Sequence, residues 1–129
     1  MGDRYIKLQE KMALAALTDE QLELHVPFEG TWILEECWLG VHTTTAADAT
    51  HYITVAVKKG AGGTTLGSIT TASTALTKGT IREIPLTTAP ASNLITGQST
   101  AIELTVTNSG ANGAAADFTA FFGLRKLVS

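Results

Sequence analysis

The chain has 129 residues, of which 44% are apolar and 16% charged, and its formal net charge at pH 7 is −3. This length fits one domain with one core. The basic residues are scattered, which argues against nucleic acid as a partner because phosphate binding needs a basic face. No apolar run is long enough to span a membrane, and the single Cys37 excludes an internal disulfide and suits the reducing cytoplasm.

Charge is concentrated near the N-terminus, where residues 1–36 carry 11 of the 21 charged side chains. This shift predicts an N-terminal arm, residues 1–20, joined to a low-charge domain, residues 21–129. Tyr5, Leu8 and Met12 follow one another at spacings of three and four, which allows a short amphipathic helix in the arm. Such a helix is marginal alone. Packing on its own domain, disorder and docking on a neighbouring subunit are the alternatives that the sequence leaves open.

The next segments alternate apolar and polar residues at the period of a β-strand, over residues 22–28 and 31–41. In the second of these, uninterrupted alternation places Trp32 and Trp38 on one face and Cys37 on the other. Cys37 is expected to be a buried small hydrophobic residue. Tryptophans on such a face either fill the core of a sandwich or mark a contact surface. Both interpretations stay open at this point.

The rest of the chain repeats short strands rich in threonine and valine, separated by turns that contain glycine or asparagine. The predicted segments are a hairpin at residues 52–69 with a glycine-rich turn at 60–63, and strands at 80–86, 100–107 and 118–128. Six to eight strands at this spacing predict an all-β fold. We expect a single antiparallel β-sandwich of the jelly-roll type.

The sequence contains no motif that supports catalysis or cofactor binding. His42 and His51 are nine residues apart with no His-x-His pair, so a metal site is not supported. Residues 60–65 lack the lysine and the following helix of a phosphate-binding loop. Cys37 lies in a strand pattern, whereas a nucleophilic cysteine needs an exposed, electropositive setting. We therefore expect a protein that is not an enzyme and that uses no metal and no cofactor.

Five segments between residues 20 and 128 resemble, in their order, segments of a known group of proteins. They are residues 22–32, 55–65, 84–88, 97–106 and 117–121. In this order of strands and turns the chain resembles small tailed-bacteriophage virion proteins of the head decoration, or cement, type. The resemblance implies a jelly-roll or related sandwich on the outside of a phage capsid, made in the host cytoplasm, which bridges major capsid subunits and stabilises the shell.

The resemblance also implies partners. These are the major capsid protein and further copies of the chain, most often as a homo-oligomeric trimer, with no nucleic acid and no membrane. The residues expected at these contacts are Tyr5, Ile6, Leu8, Met12, Trp32 and Trp38. The four residues of the arm are expected to contribute to capsid attachment, and one of the two tryptophans to a subunit interface.

A second function suits the same fold: an adhesion module of a tail fibre or baseplate that binds glycans. Its sugar platforms would be aromatic side chains on loops. The loop segments 43–50, 87–93 and 108–116 contain no aromatic residue. Copy number in purified particles separates the two functions, because a decoration protein covers the whole capsid lattice.

Overall fold

The computed structural model describes residues 5–14, 19–60, 63–86, 94–109 and 115–127. Their strands are β1 (Tyr5–Leu14), β2 (Glu20–His25), β3 (Thr31–Thr43), β4 (Ile53–Lys59), β5 (Thr64–Thr70), β6 (Ile81–Glu83), β7 (Leu94–Thr96), β8 (Ala101–Asn108) and β9 (Ala116–Lys126). The all-β prediction is confirmed. No helix long and apolar enough to cross a membrane occurs in the described part of the chain.

The strands form two antiparallel sheets that pack as a sandwich. Sheet 1 has the order β1-β9-β3-β6, with β7 also paired to β3, and sheet 2 has the order β2-β8-β4-β5. The pairing is nested, since β1 pairs with β9, β2 with β8, β3 with β6 and β7, and β4 with β5. This nesting is the strand order of a jelly roll, so the predicted architecture is confirmed.

The described part of the N-terminal arm is a β-strand and not the helix that the sequence allowed. Residues Tyr5–Leu14 form a strand that pairs along its whole length with β9. The spacing of four between Leu8 and Met12 fits a helical face, but it is also a multiple of the strand period of two. The strand is favoured because β9 supplies backbone partners, while the side chain of Met12 is only 6% exposed and joins the core.

Strand β3 contains a β-bulge at Glu35. Leu34 pairs with Leu124, and Glu36 pairs with Gly123, so two consecutive residues of β9 face three residues of β3. Glu35 is therefore the extra residue, which a bulge leaves without a partner in the ladder. A bulge changes which residues of a strand face the core, because one added residue reverses the alternation.

The bulge overturns the predicted face of the first tryptophan. Trp32 and Leu34, before the bulge, and Cys37 and Leu39, after it, are all fully buried. Trp38 lies on the opposite, outer side and is half-buried. The expectation that both tryptophans share one face is wrong, because it assumes an uninterrupted alternation.

The core lies between the sheets and takes its largest side chains from β3 and β9. Trp32, Phe118 and Phe122 are the bulkiest of the fully buried residues. Cys37 lies among them, as predicted, and its burial raises the pKa of the thiol to about 12. A thiol that stays protonated in an apolar interior is chemically inert.

Candidate protein-interaction surfaces

The outer faces of the two sheets differ in chemistry. The outward side chains of sheet 2 are mostly small or polar and include Gln21, Thr54, Ser68, Thr70, Thr105 and Thr107. The outward side chains of sheet 1 include Tyr5, Ile33, Trp38, Ile81 and Phe121, which we call the aromatic face. Ile81 is 68% exposed and Tyr5 is 45% exposed. Apolar side chains that gather on one exposed face mark a contact surface.

The register of sheet 1 arranges its outer side chains in rows that cross the strands. The central row is Gln9 (β1), Phe121 (β9), Trp38 (β3) and Glu83 (β6). The row on one side of it is Lys7, Gly123 and Glu36. The row on the other side is Lys11, Thr119, Gly40 and Ile81. Two aromatic rings thus occupy the middle of the face, and a glycine lies beside each of them.

A groove of about 420 Å³ opens on the aromatic face. Its lining includes Lys7, Glu36, Trp38, Ile81, Phe121 and Gly123. Gly123 lets the side chains of Tyr5 and Glu36 lie directly over β9, because a Cβ at that position would collide with the Tyr5 hydroxyl and lie 2.6 Å from Cγ of Glu36. A concave, mostly apolar site with a few polar groups is the usual form of a binding pocket.

A hydrogen-bonded group spans the groove above Gly123. The hydroxyl of Tyr5 donates to Oε1 of Glu36 at 2.7 Å. Hydrogen bonds from Tyr5 and then from Trp38 lower the pKa of the Glu36 carboxyl, which is therefore ionised at neutral pH. The pKa of Tyr5 is raised to about 12, mainly because burial disfavours the charged form and secondly because of the hydrogen bond to Glu36. The hydrogen bond between Tyr5 and Glu36 thereby links β1 to β3 across β9.

The second candidate surface is the side of the sandwich bounded by β1 and β2, each of which ends its sheet. Ile6 and Leu8 of β1 and Leu22 and Leu24 of β2 pack against the core but stay partly exposed. We call β1, β2 and these four side chains the open edge. At 10 residues β1 is the longest of the described end strands. The outer edge of an end strand of this length offers a row of backbone donors and acceptors to another chain.

The opposite side of the sandwich is more closed. A Cβ at Gly67 of β5 would collide with the backbone oxygen of Pro85, because the segment that follows β6 runs against this strand. The β6 and β7 strands, at the edge of sheet 1, have three residues each. Short or covered edges resist pairing with other chains, so the open edge is the accessible one among the described strands.

The six residues expected at interfaces fall in three places. Tyr5 and Trp38 are brought together on the aromatic face through Glu36. Ile6 and Leu8 lie at the open edge. Met12 and Trp32 lie in the core, with 6% and 0% of their surface exposed, so they present little or no surface to a partner in this fold.

Sequence reasoning missed Phe121, Glu36 and Ile81 on the aromatic face. The signal for Phe121 was present, because it alternates with the buried Phe118, Ala120 and Phe122 and must point outward. No local signal exists for Glu36. Its orientation depends on the bulge at Glu35.

The polar residues of the loops make local contacts. Oδ1 of Asp48 accepts hydrogen bonds from the backbone and hydroxyl of Thr50 and from the backbone of His51, and these bonds lower the pKa of Asp48 to about 2. Nε2 of His42 lies 2.7 Å from the hydroxyl of Thr119. The described residues contain no group of three or more His, Cys, Asp or Glu side chains that could hold a metal ion.

Comparisons with known proteins return little. No protein-family model matches the chain, and no curated protein matches it. Among solved structures, a chain from the structure of Turnip yellow mosaic virus at 100 K matches with a TM-score of 0.41 and 16% identity, covering 100% of this chain and 98% of that chain. Similarity at this level supports no inference about function, which has to come from the surfaces.

Proposed function

We propose that this chain is a structural protein of a phage virion, that it decorates the outside of the capsid, and that it binds the major capsid protein through the open edge. One observation carries the proposal. The ten-residue end strand β1 carries the partly exposed, inward-facing Ile6 and Leu8 and lies beside β2, which carries Leu22 and Leu24 in the same setting. Binding another protein through a surface of this kind requires no active site.

Backbone pairing would supply the first part of the contact. In an antiparallel pair, alternate residues direct their N–H and C=O groups to the same side. Strand β1 uses one side for β9, and no other described strand pairs with it, so alternate backbone groups on its other side remain for a partner. A capsid segment in extended conformation could add to sheet 1 as a further strand, which is a common mode of peptide recognition.

Apolar burial would supply the second part. The added strand would cover Ile6 and Leu8, and with β2 close by it would also cover Leu22. Burying such side chains contributes about 25 cal/mol per Å² of apolar surface. A single contact of this size is weak, but a capsid repeats the same site many times and an oligomer engages several sites together.

Charges on β1 would restrict which strand can pair with it. Lys7, Glu10 and Lys11 are exposed along this strand. Charged side chains on an end strand oppose indiscriminate pairing. A partner strand must therefore place compatible charges opposite them, which favours one specific capsid segment over unrelated strands.

The test mixes purified protein with undecorated, expanded phage capsids and measures co-sedimentation. We expect saturable binding at a stoichiometry set by the capsid lattice, with a rise in the melting temperature of the capsid. Leu22→Lys places a charge among the apolar side chains of the open edge and should abolish binding. The control Gln21→Lys adds the same charge one residue away, on the outer face of sheet 2, and should bind normally.

Circular dichroism verifies that both variants keep the β-sandwich. Absence of binding by the unmodified protein would contradict the decoration function. Equal binding by Leu22→Lys and Gln21→Lys would contradict attachment through the open edge.

A further inference from the structure

The aromatic face is complementary to itself. Its middle is apolar, with Phe121 on β9 and Trp38 on β3 in adjacent positions of the central row. Its β1 side is basic, with Lys7 and Lys11 one row before and one row after the central row. Its β6 side carries the carboxylate of Glu83 in the central row. A face with a basic border, an acidic border and an aromatic centre can pair with a rotated copy of itself.

We propose that the aromatic face is a two-fold contact between two copies of this chain, with the axis parallel to the strands and between β9 and β3. This goes beyond the capsid-binding proposal, which concerns the open edge. The rotation places β1 of one copy opposite β6 of the other, and β9 opposite β3. Each row then faces the same row of the second copy.

The contacts follow from the register. Phe121 faces Trp38 of the second copy, and because the axis is two-fold this contact occurs twice. Aromatic pairs between sheets contribute beyond their buried area. Glu83 faces Gln9 of the second copy and lies diagonally between its Lys7 and Lys11. Gly123 and Gly40 let Tyr5, Glu36 and Phe121 of the same chain lie close against the sheet.

Charge distinguishes this arrangement from its alternative. A two-fold axis perpendicular to the strands would place β1 opposite β1 of the second copy. Lys7 and Lys11 would then meet lysines, while Glu83 would meet Glu83. Like charges facing each other across an interface are strongly unfavourable. The axis parallel to the strands places opposite charges together at both borders.

The area of the face indicates a weak dimer. Three strands spaced about 4.8 Å apart over about 27 Å, with the three-residue β6 beside them, give roughly 440 Å² per copy. The total of about 900 Å² lies just below the usual lower limit for specific interfaces. The dimer should therefore form and dissociate over an accessible range of protein concentration.

The test measures the mass of the full chain by sedimentation velocity over a wide range of protein concentrations. We expect a reversible monomer–dimer equilibrium. Phe121→Ala and Glu83→Lys should each raise the dimer Kd about tenfold or more. The control Thr105→Ala changes a half-buried residue at the centre of the opposite face and should leave the Kd unchanged.

A charge exchange tests the geometry itself. Glu83→Lys and Lys11→Glu should each weaken the homodimer, whereas a mixture of the two variants should form a heterodimer with near-normal affinity. Both variants change exposed side chains, so we expect the fold to be preserved. Lys11 lies 3.8 Å from Asp117, but a surface pair of this kind contributes little to stability.

The outcomes are distinct. A dimer that the Phe121 and Glu83 variants weaken, and that the mixture restores, supports the two-fold contact. A monomer at all concentrations, a trimer, or a dimer unaffected by either variant would overturn it. Leu22→Lys should dimerise normally, so loss of capsid binding and loss of dimerisation can be separated.

Discussion

Deletion of Glu35 should leave the domain folded, because Glu35 is the extra residue of the bulge in β3. Its neighbours Leu34 and Glu36 already pair with consecutive residues of β9, Leu124 and Gly123. Without Glu35 the strand would alternate regularly, with the same side chains in the core. Deleting Ile33, only two positions away, should have the opposite result.

The expected magnitudes differ widely. The Glu35 deletion removes the 3.2 Å contact with Arg125, a partly exposed ion pair worth about 0.2–1 kcal/mol. The Ile33 deletion reverses the alternation, so either Trp32 turns outward or the bulge disappears and Leu34 turns outward. Removing a large apolar side chain from a core costs about 2–5 kcal/mol. That is a large part of the typical total stability of about 5–15 kcal/mol.

Urea denaturation followed by tryptophan fluorescence measures both effects. The Glu35 deletion should shift the midpoint slightly and retain the emission of a buried Trp32, whereas the Ile33 deletion should lower the midpoint strongly or prevent folding. Equal destabilisation by the two deletions would refute the assignment of Glu35 as the extra residue. So would an exposed Trp32 after deletion of Glu35.

Two further predictions concern ionisation. Gly123→Ala should displace the Tyr5 hydroxyl from Glu36, so the pKa of Tyr5 should fall from about 12 towards its ordinary 10.0. Ultraviolet titration measures this pKa, with Tyr5→Phe as the reference that identifies the Tyr5 signal. A titration curve unchanged from that of the parent protein would contradict the prediction. Burial raises the pKa of Cys37 from its ordinary 9.0 to about 12, so the native state keeps a proton that the unfolded thiol loses. The Cys37 thiol should therefore lower the free energy of unfolding by up to about 1.4 kcal/mol per pH unit as pH rises from 9 to 12. A Cys37→Ala variant whose free energy of unfolding falls equally steeply over this pH range would disprove the effect.

The parts of the fold that depend on local alternation could be predicted from the sequence. In β8, Ile102, Leu104 and Val106 alternate with polar residues, and the structure buries all three as expected. Repeated short strands of this kind limit the architecture to a few all-β types. The jelly-roll order is one of them.

The features that depend on distant partners could not be predicted. The spacing of Leu8 and Met12 fits a helix and a strand equally, and only pairing with β9 decides between them. The sequence around Glu35 gives no sign of a bulge, because its position is fixed by the register against β9. Without the bulge at this one residue, the sequence-based interpretation placed Trp32 on the same face as Trp38 and opposite Cys37.

The candidate surfaces also combine features set by local alternation with features set by distant partners. Outward-facing positions such as Phe121 follow from alternation within one strand. The group of Tyr5, Glu36 and Trp38 does not, since it joins residues 31 positions apart through the folding of the sheet. Open edges also cannot be identified before the strand order is known.

Hydrogen–deuterium exchange of the chain, free and bound to expanded capsids, tests attachment through the open edge most directly. The free protein should exchange alternate amides of β1 readily, because those groups have no partner strand within the described part of the chain. Binding to capsids should protect β1 and leave β5, the end strand on the opposite side of sheet 2, unchanged. Binding that leaves the exchange of β1 unaltered, or that protects β5 instead, would contradict strand addition at the open edge.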